Sequence, residues 1–132
     1  MKLSTKSRYG TRFLIELAEH YNEGPVQTGY IAEKQGISMK YLEQIIIPLR
    51  KANLIKSTRG RNGGHMLARP PEEINMREVL EVLEEGIDIA GCVNNPDFCK
   101  RSVDCKSRDL WEIATAAIYE KLNSLKLSEI IK

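Results

Sequence analysis

The longest aliphatic run in this 132-residue chain is Ile45-Ile46-Ile47, far short of the ~20 apolar residues that a membrane-spanning helix needs. The opening segment Lys2-Leu3-Ser4-Thr5-Lys6-Ser7-Arg8 carries charge with no apolar stretch behind it. That argues against a secretory signal, and the expectation is a cytoplasmic protein with no membrane partner. Histidine is scarce, with His20 and His65 as its only occurrences. No spacing pairs a nucleophile with a base or forms a phosphate loop, so no enzyme is expected. Cysteine is absent everywhere except in one short stretch, where Cys92, Cys99 and Cys105 fall within fourteen residues. Three is an odd number, so disulfides alone cannot use them all. In a reducing compartment such a cluster points to metal or redox chemistry.

Acidic residues are also scarce in the first half. Residues 1–69 hold 12 Lys+Arg and 5 Asp+Glu, and residues 70–132 hold 8 and 13, so +7 and −5 give the net +2. A basic first half suggests a polyanionic partner, most commonly nucleic acid.

The hydrophobic pattern predicts a mainly α fold with one small β-hairpin. Ser4 can cap a first helix to about Tyr21, with Tyr9, Phe13, Leu14, Leu17, Ala18 and Tyr21 at helical spacing. Thr28 to Lys34 predicts a short second helix, with a turn at Gly36. Ser38 can cap a third, Met39 to Ala52, whose apolar face is Leu42, Ile45, Ile46 and Leu49. Pro48 lies inside it and predicts a bend or an earlier end. Leu54–Arg59 and His65–Ala68 predict two strands around the glycine-rich Gly60-Arg61-Asn62-Gly63-Gly64. Asn75 can cap a helix to about Glu85, and Ser107 a long one to about Leu125. The long helix carries a stripe of Leu110, Trp111, Ala114, Ile118, Leu122 and Leu125.

Two helices, a glycine turn, a third helix and a hairpin make a winged helix-turn-helix, expected over residues 1–69. A connecting helix and the cysteine loop fill 70–106, and a dimerisation helix with a last turn fills 107–132. The third helix would enter a major groove, led by Ser38, Lys40, Tyr41, Glu43 and Gln44. Tyr41 equally suits a half-buried position. Arg59, Gly60 and Arg61 at the hairpin tip suit a narrow minor groove, where negative potential is concentrated. The alternative there is a type I′ turn on Asn62-Gly63 with solvated arginines. The long apolar helix predicts a homodimer, and a twofold dimer would read a near-palindromic double-stranded DNA site.

The thiols follow a Cys-x6-Cys-x5-Cys spacing. It lacks the short knuckle of structural zinc sites and misses the ferredoxin patterns. Three thiolates on a loop could hold an iron–sulfur cluster, serve as a redox dithiol plus a spare, or be inert. Lys100, Arg101, Lys106 and Arg108 lie among them and would offset the charge of a cluster.

Together these segments resemble the Rrf-two superfamily of bacterial transcription factors, of the iron–sulfur cluster regulator type. The resemblance rests on Met1–Gly10, Ile31–Ser38, Tyr41-Leu42-Glu43-Gln44, Leu49-Arg50, and Arg59-Gly60 with Gly63-Gly64. The cysteine loop followed by a long helix matches as well. It implies a homodimeric winged-helix repressor or activator whose Cys92, Cys99 and Cys105 hold an iron–sulfur cluster, 2Fe–2S in preference to 4Fe–4S. It also implies Glu43 as a specificity residue and Arg59 as a minor-groove contact. One branch has a histidine three residues after the last cysteine, where this chain has Arg108. Another takes an acidic residue from the partner's first helix, where this chain has Arg8. A further branch lacks the cysteines and senses sulfur status through a partner enzyme, and the N-terminal half resembles it too. The alternative function is therefore a cluster-free, thiol- or partner-responsive DNA-binding regulator of sulfur or cysteine metabolism.

Overall fold

The computed structural model describes residues 2–132. Helix α1 spans Thr5–Glu19, and the Ser4 hydroxyl caps it by accepting the Ser7 N–H. Its inward face of Phe13, Leu14, Leu17 and Ala18 is buried, in line with the periodicity. Helix α2 spans Thr28–Gln35 and ends on Gly36 at φ 65°. Helix α3 spans Met39–Lys51, with Ser38 Oγ accepting the Tyr41 N–H at 3.1 Å. Pro48 does not end it: the Ala52 N–H bonds the Pro48 carbonyl at 3.1 Å and the helix completes its last turn. Only the bond to the Gln44 carbonyl is lost, and Gln44 is exposed, so water can satisfy it.

Strands β1 (Ile55–Thr58) and β2 (Gly64–Leu67) pair antiparallel, from Ile55 opposite Leu67 to Thr58 opposite Gly64. The connecting turn is not a type I′ turn on Asn62-Gly63. It is centred on Arg61-Asn62 and closed by the Gly63 N–H on the Gly60 carbonyl at 3.0 Å. Positive φ falls instead on Gly60 (105°) and Gly64 (151°). Gly64 also lies against the segment before α2, where an added Cβ would stand 2.6 Å from the Val26 carbonyl carbon. Both groups are backbone, so neither can yield. Gly64→Ala is expected to lower stability by about 2–3 kcal/mol, read as a lower denaturant midpoint at unchanged slope.

Helix α4 spans Met76–Glu84, with Asn75 accepting the Glu78 N–H at 3.0 Å. Gly10 of α1 lets Leu83 rest directly on the α1 backbone. The Glu84 carboxylate accepts the Ser4 hydroxyl at 2.8 Å, the Ser4 N–H at 3.2 Å and the Ser7 hydroxyl. It thereby ties the end of α4 to the start of α1.

The cysteine loop follows, and α5 then runs Lys106–Ser124. Its N-cap is Cys105, not Ser107. Helix α6 (Leu127–Ile130) returns the chain to the core, with Leu127 fully buried and its N–H on the Ile74 carbonyl at 2.8 Å. A single apolar cluster joins Phe13, Ile31, Leu42, Ile45, Leu49, Ile55, Ile74, Val79 and Leu127. The stripe expected on α5 divides: Leu122 and Leu125 pack on this core, whereas Leu110 (54%) and Trp111 (38%) are exposed, as is Ile113 (68%), which lies outside that stripe. Among the described residues no helix is long and apolar enough to cross a membrane.

Candidate nucleic-acid interface and cysteine loop

Because α3 buries Leu42, Ile45, Ile46 and Leu49, helical spacing turns Lys40, Glu43, Gln44 and Ile47 outward. Ser38 is exposed at the cap; its oxygen accepts from Tyr41, and its proton remains free to donate. Tyr41 is half-buried, its ring edge-on to Tyr9 at 5.6 Å between centroids. Arg59, Gly60 and Arg61 project into solvent at the wing tip. Two clefts lie between the wing, α2 and α3. One, of ≈ 310 Å³, is lined by Gln27, Thr28, Met39, Thr58, Gly60 and His65 among others. The second, of ≈ 360 Å³, is lined by Thr28, Glu43, Ile46, Ile47, Arg50 and His65.

Four residues on this face, Gln27, Thr28, Ser57 and His65, have roles that the sequence did not indicate. Gln27 Nε2 donates to the Arg61 carbonyl at 3.0 Å and holds the wing tip. The His65 ring stands between the Ser57 hydroxyl at 2.7 Å and the Thr28 hydroxyl at 2.8 Å. Burial pushes its pKa below the usual 6.5, and the positive Arg50 adds to that. The only sequence signal was a polar ring in a short strand, and its partners emerge only when β1 and β2 are in register.

In the loop, Cys99 is exposed, Cys92 and Cys105 are half-buried, and all three are free thiols. The donor set suits an iron–sulfur cluster in kind, since soft thiolates are its usual ligands. The described residues, however, bring no three His, Cys, Asp or Glu side chains together as a metal would need. What is organised is the arm that carries Cys92. The Asp88 carboxylate accepts the Ala90 and Gly91 N–H groups at 2.9 Å and the Asn94 N–H at 2.6 Å. Asn94 Nδ2 in turn donates to the Ile87 carbonyl at 3.1 Å, and the Tyr119 hydroxyl of α5 accepts the Ile87 N–H.

Arg108 occupies the place where one branch of the resembling family has histidine. Its Nε donates to the Cys92 carbonyl at 3.1 Å and its Nη2 to the Val93 carbonyl at 3.4 Å, while Nη1 pairs with Glu112 at 2.9 Å. It acts as a clamp between the loop backbone and α5. Arg8 is exposed, with its guanidinium 5.9 Å from the Tyr9 ring centroid and bonded to Thr5.

Partial burial raises the Asp88 pKa, but the backbone N–H bonds outweigh it and hold the carboxyl below its ordinary value. A depressed carboxylate stabilises the fold above its unfolded pKa, about 3.9, and loses that effect as pH falls below it. Asp88→Asn is therefore expected to reduce hydrogen-exchange protection of the Gly91 and Asn94 amides at pH 6. The difference from the native chain should narrow as pH falls below about 4 and vanish once pH passes below the lowered folded-state pKa, and a difference that stays constant throughout the fall would refute the assignment.

The family model for Rrf2, an iron-dependent transcriptional regulator, matches residues 3–132. The chain is similar to protein rrf2 of Nitratidesulfovibrio vulgaris, with 44% identity over 132 residues that cover 100% of this chain and 88% of the relative. Among solved structures it is similar to CymR, the global cysteine regulator of B. subtilis. There the TM-score is 0.82 with 36% identity, covering 99% of this chain and 96% of that one. It is also similar to T. potens IscR, with TM-score 0.79 and 38% identity, covering 99% and 86%. The chain belongs to the Rrf2 family and is a DNA-binding transcriptional regulator of winged-helix fold, not an enzyme.

Proposed function

We propose that the protein is a homodimer that reads a near-palindromic duplex and senses iron–sulfur, redox or nitric oxide status through a cluster on Cys92, Cys99 and Cys105. The observation that carries the DNA reading is the shared face. Met39 of α3 lines one cleft with Thr58, Gly60 and His65 of the wing, and Glu43 and Ile47 line the other with His65, which suits one element for each groove. Lys40 and Gln44 donate to base edges or phosphate, Glu43 accepts from a cytosine amino group, and Arg59 and Arg61 enter the minor groove.

The cluster, when bound, supplies an oxidation-sensitive and exchangeable centre. Arg108 and Tyr119 hold the Cys92 arm against α5, and Asp88 braces the arm itself, so a change at the thiols is passed to that helix. The test is binding to a duplex recovered by the native protein from a random-sequence pool. Arg59→Ala is expected to weaken binding about tenfold and reduce the salt slope by about 1. Glu43→Ala should relax preference at one base pair. Unchanged affinity and slope in both variants would refute the reading.

A second reading is favoured by the similarity to CymR, a global cysteine regulator. It is a cluster-free regulator of sulfur or cysteine metabolism that responds to thiol oxidation or to a partner protein. It predicts no bound iron and a DNA affinity that changes with oxidant or partner.

A further inference from the structure

We propose that His65 is the positioning residue that sets the wing against the helix-turn-helix, and so fixes the spacing between the two groove contacts. The inference rests on the duplex-reading assignment above and adds the side chain that makes it geometrically possible.

A hairpin of two four-residue strands is marginal by itself. Beside the Gln27 bond to the Arg61 carbonyl and the buried Ile55 and Leu67, its polar attachment to the reader gathers at one residue. The His65 backbone exchanges two hydrogen bonds with Val26, each 2.8 Å, just before α2. Its ring bonds Ser57 of β1 on one side and Thr28, the first residue of α2, on the other. The ring also rests on Phe13 of α1, with centroids 5.9 Å apart. His65 lines both clefts, beside Met39 in one and beside Glu43 and Arg50 in the other. It thus contacts β1, α1 and α2 and faces α3.

Neither hydroxyl partner is required by its own element. The α2 N-cap is Gln27, so Thr28 is not the cap, and Ser57 lies in a two-stranded ribbon with no further neighbour. Their shared bond to one ring has a consequence between elements: it restricts the swing of the wing relative to α2 and α3. Groove spacing is set by the duplex, so an unrestrained wing must be ordered at the moment of binding, and that costs affinity.

The experiment uses the full-length chain and the duplex recovered from the random pool. Dissociation constants are measured together with two footprints: guanine N7 methylation for the major groove and hydroxyl-radical cleavage for the minor groove. His65→Phe keeps a ring on Phe13 and removes both hydroxyl bonds. It is expected to weaken binding about tenfold and to erase minor-groove protection beside the wing, while guanine protection persists. The pair Thr28→Val with Ser57→Ala reaches the same result without touching His65, which covers the case of His65→Phe folding poorly. In an Arg59→Ala, Arg61→Ala background His65→Phe should add no further loss. The proposal is overturned if both footprints fade together, if the losses add in that background, or if binding is unchanged. Should the two arginine changes alone leave binding intact, the wing reading itself fails, and this inference with it.

Discussion

Leu110→Asp with Ile113→Asp is expected to give a folded monomer that binds DNA at least ~100-fold more weakly than the native chain. The two side chains are 54% and 68% exposed in a single chain, so charge there does not disturb the monomer core. In a twofold dimer each substitution acts twice, because the same patch meets its own copy. Burial of a Leu or Ile side chain contributes about 1.5–3 kcal/mol, so four of them supply several kcal/mol to association. Carboxylates in their place add a desolvation cost. A monomer holds one half-site alone and forfeits the gain from linked binding. Trp111, the one tryptophan, lies on the same stretch of α5 and reports the change. Its emission should move to the red as the partner leaves. Light scattering that still gives the mass of a dimer would refute α5 as the interface.

The second large effect concerns the thiols. Anaerobic treatment with ferrous iron and sulfide is expected to colour the native chain, and Cys92→Ala, Cys99→Ala or Cys105→Ala should each abolish the visible absorption. Each protomer offers only three cysteines, so removing one leaves two soft donors, fewer than a cluster needs. Loss of colour should be accompanied by loss of the signal-dependent change in DNA affinity. If the native chain stays colourless with iron and sulfide present, the cluster reading is wrong. If its DNA affinity then responds to oxidant, the cluster-free reading takes its place.

Much of the fold could be read locally. Ser4, Ser38 and Asn75 cap their helices as their positions suggested, because an N-cap is decided within about four residues. The buried faces of α1 and α3 followed from spacing alone. Ser107 misled for a local reason: serine is a good cap, but α5 starts earlier, at Lys106, with Arg108 in its first turn and bonded to the Cys92 carbonyl. The alternative of a type I′ turn on Asn62-Gly63 failed because the turn closes one residue earlier, on the Gly60 carbonyl. Gly63 and Gly64 are needed less for the turn than for close approach to the backbones of Arg59 and Val26. Ile113, the most exposed large apolar residue of α5, fell outside the expected stripe, because the helix is oriented by packing that its own pattern does not encode.

Period, composition and near neighbours were enough to place most elements, the charge separation, the outward edge of α3, the arginine tip and the thiol count. How those parts are joined follows from packing across the whole chain. Glu84 meets Ser4 and Ser7 across about eighty residues, Arg108 reaches back to Cys92, and His65 bonds Thr28 from thirty-seven residues away. Such bonds form between polar groups that the packing of an apolar core happens to bring within 3 Å or so of each other. Their sequence separation carries no periodic signal, and so the couplings between reader, wing and cysteine loop become visible only in the folded chain.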